Sequence, residues 1–244
     1  MRIAIAGSTG LVGRNVVAAA TAAGHDVIEL AREKGVDLTS PDGLAERLAG
    51  ADALVDVTQS PSLDEAEATK FFTTVARNLG EAARTDGVVR TVALSIIGVD
   101  EVPDYGYYVA KLAQEHAVME HAPGAHVLRA AQFLDFPGQM LDWNRDGDHV
   151  AVPDMPLQPV AVEEIARLLV AIADGSETRT LVELAGPRTE DLADLVRQVA
   201  AHRGEHVTVE TTHESEAMAS GACLPGPDAI IAGPDFGTWL AMQS

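Results

Sequence analysis

The sequence predicts an α/β fold built on a doubly wound parallel sheet, and three observations predict it. Short apolar runs that read as strands alternate with longer stretches whose apolar residues recur at helical spacing. The first strand runs into Gly7, Gly10 and Gly13, which open a helix. The chain has 244 residues, 47% of them hydrophobic, with no internal linker, enough for one domain with a full core.

Arg2-Ile3-Ala4-Ile5-Ala6 is a bare apolar strand that stops at Gly7. Val16, Val17, Ala20 and Ala23 then follow at helical spacing, with Gly24 as the stop. In a strand–glycine–helix unit, the glycines serve a tight turn, close approach of backbone to a pyrophosphate, and close helix–strand packing. The helix start offers free N–H groups and a partial positive charge for phosphates. This predicts a Rossmann-type dinucleotide site using Gly7, Thr9, Gly10, Leu11, Val12 and Gly13.

Residues 27–31 form the second strand, whose end selects the cofactor. An NAD site places a carboxylate there for the ribose 2′-hydroxyl. Here Ala31 holds that place, and Arg32 and Lys34 follow. A guanidinium forks onto a 2′-phosphate, so NADP(H) is preferred over NAD(H). Asp37-Leu38 follows in a turn, where Asp37 either accepts from the adenine amino group or serves the turn itself. Residues 51–57 form the next strand, and Thr58 and Gln59 leave it beside the ligand crevice.

Further along, 64–85 is an amphipathic helix with an acidic start, 88–94 a strand ending at Ser95, 107–121 a helix and 126–130 a strand. Residues 162–173 form a helix and 180–185 a strand. Thr189 caps a helix to about His202, 221–234 is a loop, and Trp239 and Leu240 dock a terminal helix. We read 1–244 as a single domain, with 1–130 as dinucleotide-binding core. Residues 131–244 then form a small C-terminal extension that completes the substrate pocket.

A formal charge of −20 disfavours nucleic acid and anionic membrane surfaces as partners. The single cysteine, Cys223, forms neither an internal disulfide nor a thiolate cage, and the histidine spacings suit no metal. No uncharged apolar stretch approaches the roughly 18 residues of a membrane span, so a soluble, cytoplasmic protein is expected. The sequence leaves the oligomeric state open, a homodimer being one option.

All three tyrosines, Tyr105, Tyr107 and Tyr108, lie in YGYYVAK, which Lys111 closes. Tyr107 and Lys111 are four apart and share a helix face. An ammonium nearby favours the phenolate and pulls the phenol pKa down, and it can also hold ribose hydroxyls. Ser95 would orient a carbonyl, Tyr107 protonate its oxygen, and Lys111 fix the hydride donor. Gln132, Phe133, Phe136, Met140 and Trp143 would supply an apolar wall for a small-molecule substrate.

GSTGLVG at 7–13, LS at 94–95, YYVAKLAQE at 107–115 and VLRAAQF at 127–133 together resemble the short-chain dehydrogenase/reductase superfamily. More narrowly the chain is similar to its atypical, NmrA-like branch, over nearly its whole length, including PVAVEEIA and VELAGP. The resemblance implies Ser95, Tyr107 and Lys111 as catalytic positions. One departure is Ala130-Ala131, where relatives usually carry a proline after the arginine. The resemblance implies an NAD(P)H-dependent reductase of a small ketone or quinone. It also implies two alternatives: a non-catalytic NADP(H)-binding redox sensor, and a nucleotide-sugar epimerase or dehydratase, for which little chain remains after residue 150.

Overall fold

The computed structural model describes residues 1–243. In chain order it begins with β1 (Arg2–Ala6), α1 (Leu11–Ala22), β2 (Asp26–Leu30), α2 (Leu44–Leu48), β3 (Ala53–Asp56) and α3 (Glu65–Thr85). Then come β4 (Arg90–Ile96), α4 (Gly106–His121), β5 (Ala125–Ala130) and α5 (Phe136–Trp143). Three short strands follow, β6 (Arg145–Asp146), β7 (His149–Pro153) and β8 (Pro156–Leu157), before α6 (Val162–Asp174) and β9 (Leu181–Ala185). The last elements are β10 (Glu190–Asp191), α7 (Leu192–His202), β11 (Thr208–Thr212), α8 (Glu216–Ala219), β12 (Ile230–Ile231) and α9 (Phe236–Leu240).

The expected doubly wound architecture forms. A seven-stranded parallel sheet runs β12-β9-β5-β4-β3-β1-β2. The chain passes from β1 outward to β2 and then returns to β3 on the other side of β1. Strand order therefore reverses between β1 and β3, and in open α/β sheets the place for a ligand is beyond the carboxyl ends of the strands at such a point. Gly7 leaves β1 there, and Thr58 follows β3.

Two compact units interleave along the chain. The first comprises Met1–Ile96, Tyr105–Arg129 and Val162–Val182. In it α1 packs on α6, while α3 packs on α2 and α4. Strand alternation explains the layers: Ala4, Ala6 and Leu54 meet Val75, Leu79 and Ala83 of α3 in one apolar cluster, so Ile3 and Ile5 face the opposite side. Asp64 starts α3 by accepting from the Glu67 N–H at 3.0 Å. The α3–α4 contact is close because two glycines permit it. At Gly80 a Cβ would lie 2.7 Å from the His121 carbonyl carbon and oxygen, and at Gly106 it would lie 2.8 Å from the Glu65 Cβ.

The second unit comprises Ile97–Asp104, Ala130–Ala161 and the chain from Glu183 onward. It holds a three-stranded sheet, β11-β7-β6, and α5 packed on α7. Three details differ from the sequence reading. Strand β2 spans Asp26–Leu30, one residue earlier, because Gly7 N–H donates to the Leu30 carbonyl at 2.8 Å and closes the ladder there. Helix α7 is capped by Asp191, which accepts from Asp194 N–H, whereas the Thr189 hydroxyl donates to Gln158 Oε1 at 3.2 Å. The stretch 221–234 is not all loop, since β12 within it pairs with Leu184 and Ala185 of β9.

Gly80→Ala is expected to lower stability by roughly 1–3 kcal/mol, because the added methyl meets helix backbone that has no free volume to yield. Urea unfolding measured by circular dichroism checks this. A midpoint equal to that of the unsubstituted protein would show that α3 and α4 separate at no cost.

Candidate active site

The glycine turn is built by sterics. Gly7 has φ +84°, and a Cβ there would lie 2.8 Å from the Val57 carbonyl oxygen. A Cβ on Gly13 would fall 2.0 Å from the Gly7 oxygen, so the start of α1 is pressed onto the turn. Gly10 is different: its φ is −71°, and an added Cβ would meet only the Gly7 oxygen, at 3.4 Å. The protein itself does not need a glycine there. Gly10 is also the N-cap of α1, so no side chain caps the first N–H groups of the helix. A residue kept small against nothing in the protein, at an uncapped helix start, fits a backbone cradle for a pyrophosphate. Beside it Ser8 is buried, and its Oγ has no hydrogen-bond partner in the structure.

At the end of β2, Ala31 is buried and offers no carboxylate, and Arg32 is exposed in a single 3-10 turn. Lys34, the other cation expected here, pairs its ammonium with Glu29 at 3.0 Å. The two lie five residues apart across the bend at the strand end, so Lys34 is engaged along β2. Asp37 is a turn residue, with Oδ1 accepting from the Thr39 N–H at 2.9 Å and hydroxyl at 2.7 Å, and these bonds hold its carboxyl below the usual range. Leu38 belongs to the apolar core, and its carbonyl accepts from Asn78 Nδ2 at 3.1 Å.

Past β3, buried Asp56 folds the exit loop onto itself. Its Oδ1 accepts from the Thr58 N–H at 3.0 Å and the Thr58 hydroxyl at 2.7 Å. The other oxygen accepts from Gln114 Nε2 at 3.0 Å. Gln114, on α4, accepts in turn from Lys111, whose ammonium also donates to the Leu94 carbonyl at 2.7 Å and sits 4.7 Å from the centre of the Phe72 ring. Burial pushes the Lys111 pKa down to about 8, against the pull of Asp56 and Glu115. One residue on, Glu115 holds Arg129 of β5 by two hydrogen bonds of 2.9 and 2.8 Å, both side chains buried.

Tyr107 packs edge-on against the same Phe72 ring, with centroids 5.9 Å apart. Burial pushes its pKa up to about 12, opposed by a hydrogen bond with Gln59. This corrects the expectation that Lys111 lowers it. The lysine charge is spent on Leu94 and Gln114, and Gln59 is the group that partners the phenol. Ser95 lies inside β4, buried, with its Oγ free of any partner in the structure. Tyr108 is buried and meets Tyr105 edge-to-face with ring centroids 5.3 Å apart, so these two tyrosines pack.

The residues expected at the substrate lie in the second unit. Gln132 accepts from the Val160 N–H, Phe133 bridges to Val160, and Phe133, Phe136 and Met140 are half-buried. Trp143 is 66% exposed at the end of α5, and within this unit it covers nothing as a wall. Sequence reading missed Asp56 and Gln114, which hold Lys111 and the Thr58 loop. Gln114 stands three residues after Lys111 on one helix face, a spacing that marks it as a neighbour.

A family model for NAD(P)H-binding proteins matches residues 7–175, covering the glycine turn, Ser95, Tyr107 and Lys111. The chain belongs to this family of NAD(P)H-binding proteins. Similar solved structures include a dTDP-4-dehydrorhamnose reductase from Clostridium acetobutylicum, 19% identical, covering 87% of this chain and 84% of that one at a TM-score of 0.73. A UDP-N-acetylglucosamine 4-epimerase from Bacillus cereus is 17% identical, covering 98% and 96% at a TM-score of 0.72. A short-chain dehydrogenase/reductase superfamily protein from Agrobacterium tumefaciens with bound NAD is 19% identical, covering 95% and 88% at 0.66. At these identities the likeness is one of fold. No match is found among curated proteins. For a member of this family the cofactor is a nicotinamide dinucleotide. Gly10 with the uncapped start of α1 fits its pyrophosphate.

Gly10→Val should fold with a melting temperature near that of the unsubstituted protein and lose dinucleotide binding. Gly13→Ala should instead melt several degrees lower, because its methyl meets the Gly7 carbonyl. Thermal melts beside cofactor titrations check the pair. Full cofactor affinity in Gly10→Val would refute the cradle.

Proposed function

We propose that this protein is an NADPH-dependent oxidoreductase that reduces a small ketone or quinone, with Tyr107 as proton donor. We place it in the atypical, NmrA-like branch on YYVAKLAQE and its neighbouring motifs, and in the cytoplasm on its single cysteine and acidic charge. The observation that carries the reading is the state of Tyr107, a phenol held neutral by burial and bonded to Gln59. Bound dihydronicotinamide supplies a hydride. With a ketone, the oxygen that gains negative charge beside Tyr107 takes the phenol proton, and because an alkoxide is a stronger base than a phenolate the transfer runs downhill. A reduced quinone is itself a phenolate and takes its proton from Tyr107 or from water. Ser95, whose hydroxyl has no other partner, donates to the same oxygen. Lys111 holds ribose hydroxyls with the ammonium proton left over from Leu94 and Gln114.

Arg32 is assigned to the 2′-phosphate, since Ala31 offers no competing carboxylate and Lys34 is engaged by Glu29. The fold's nearness to nucleotide-sugar reductases and epimerases supports a second reading, in which the carbonyl belongs to a keto-sugar nucleotide. NADPH oxidation over ketones, quinones and a dTDP-keto-sugar separates the two. Cofactor binding without turnover of any class would point to a sensor.

With a ketone substrate, Tyr107→Phe should lower kcat by about 10²–10⁴ while the melt is unchanged, as expected for loss of one general acid. Full activity of that variant on a ketone would remove Tyr107 from the reaction. Arg32→Ala should weaken NADPH about tenfold and NADH hardly at all, the effect of one charge-assisted contact. Equal affinities for both cofactors in the unsubstituted protein would remove the 2′-phosphate assignment.

A further inference from the structure

The hydrogen bonds behind Lys111 form a chain with a fixed direction. An ammonium only donates and a carboxylate only accepts, so the amide between them has one permitted orientation. Gln114 must present Oε1 to Lys111 and Nε2 to Asp56, and it does so, with Nε2 3.0 Å from Asp56 Oδ2. Asp56 and Gln114 are 1% exposed, and Lys111 is 5% exposed. In so buried a network each group depends on the next for its hydrogen bonds. The far oxygen of Asp56 holds Thr58 on the loop that leaves β3.

We propose that Gln114, oriented by Asp56, is a positioning residue that fixes the Lys111 ammonium against the Leu94 carbonyl and ties it to the Thr58 loop. The inference extends the proposed function by naming what aims its lysine. The charged or titratable groups around Lys111 are Asp56 from β3, Glu115 from its own helix, itself bound to Arg129 of β5, and the Tyr107 phenol one turn back. From α3 it meets the Phe72 ring, and from β4 a carbonyl. Gln114→Leu removes the acceptor and leaves the ammonium half-satisfied. Asp56→Asn acts from further away. An asparagine retains an acceptor for Thr58 but turns an N–H₂ toward Gln114, so the amide flips and faces Lys111 with a donor. Both changes disfavour the charged lysine.

The chain has only three lysines, Lys34, Lys70 and Lys111, so a lysine-Cε-labelled sample gives three resolvable NMR signals. Lys111→Met assigns the buried one in the cofactor-free protein. Its midpoint, near pH 8 in the unsubstituted protein, is expected to fall by about one unit or more in both Gln114→Leu and Asp56→Asn. NADPH affinity at pH 7.5, measured by titration, should fall with it, by about threefold for a one-unit shift and less far than in Lys111→Met. Asp56→Asn supplies the test if Gln114→Leu fails to fold. An unshifted Lys111 midpoint in a folded variant overturns the relay whatever the protein's activity. If instead Lys111→Met leaves NADPH affinity intact while the midpoints shift, the lysine's place in the proposed function fails and the relay stands.

Discussion

A lysine ammonium that is 5% exposed must find acceptors for its protons or give up its charge. Much of the first unit is arranged around that requirement. Strand β4 supplies the Leu94 carbonyl, α3 the face of Phe72, and β3 the carboxylate that reaches Lys111 through Gln114. These partners come from three elements, so α4 has to lie close to all of them. Gly80 and Gly106 make the approach to α3 sterically feasible, and the Glu115–Arg129 pair pins the same helix to β5. Breaking either buried charge group would leave its partner unpaired in low dielectric, which confines α4 to one position.

The same burial acts with opposite sign on the two site residues of α4. It lowers the lysine and raises the tyrosine, so each is pushed toward its uncharged form. A tyrosine held neutral has a proton to give at every physiological pH. The lysine retains charge at neutrality because Asp56 and Glu115 offset part of the desolvation. One wet contact at Lys111 or one missing carboxylate would change that balance.

The main strands and helices of the first unit (β1, α1, β2, β3, α3, β4, α4, β5 and α6) were legible in the sequence, because bare apolar strands and amphipathic helices such as Glu65–Thr85 have different periods. The short α2 was not. Gly7, Gly10 and Gly13 were legible as a turn for the same reason, with a strand before them and a helix after. What sequence could not show was partner choice. Lys34 reads as a free cation until the bend after β2 brings Glu29 within 3.0 Å. Lys111 reads as the neighbour of Tyr107, four residues back, yet its charge is directed to the Leu94 carbonyl of β4 and to Gln114 on its own helix. Asp56 and Gln114 stand 58 residues apart, and no local pattern links them. In the second unit β7 and β11 are short and half exposed, so hydrophobic alternation was too brief to mark them.

The Glu29–Lys34 pair has a consequence for how copies of this chain meet. Strand β2 is an edge of the seven-stranded sheet, where unpaired N–H and C=O groups invite a strand from another molecule. A charged pair riding on that edge would have to shed its water before any such strand could dock, and Asp26 adds an exposed charge at the other end. At the opposite edge β12 is two residues long and offers almost no template. With a net charge of −20 repelling approaching copies, both margins of the sheet are guarded against fibril-like growth.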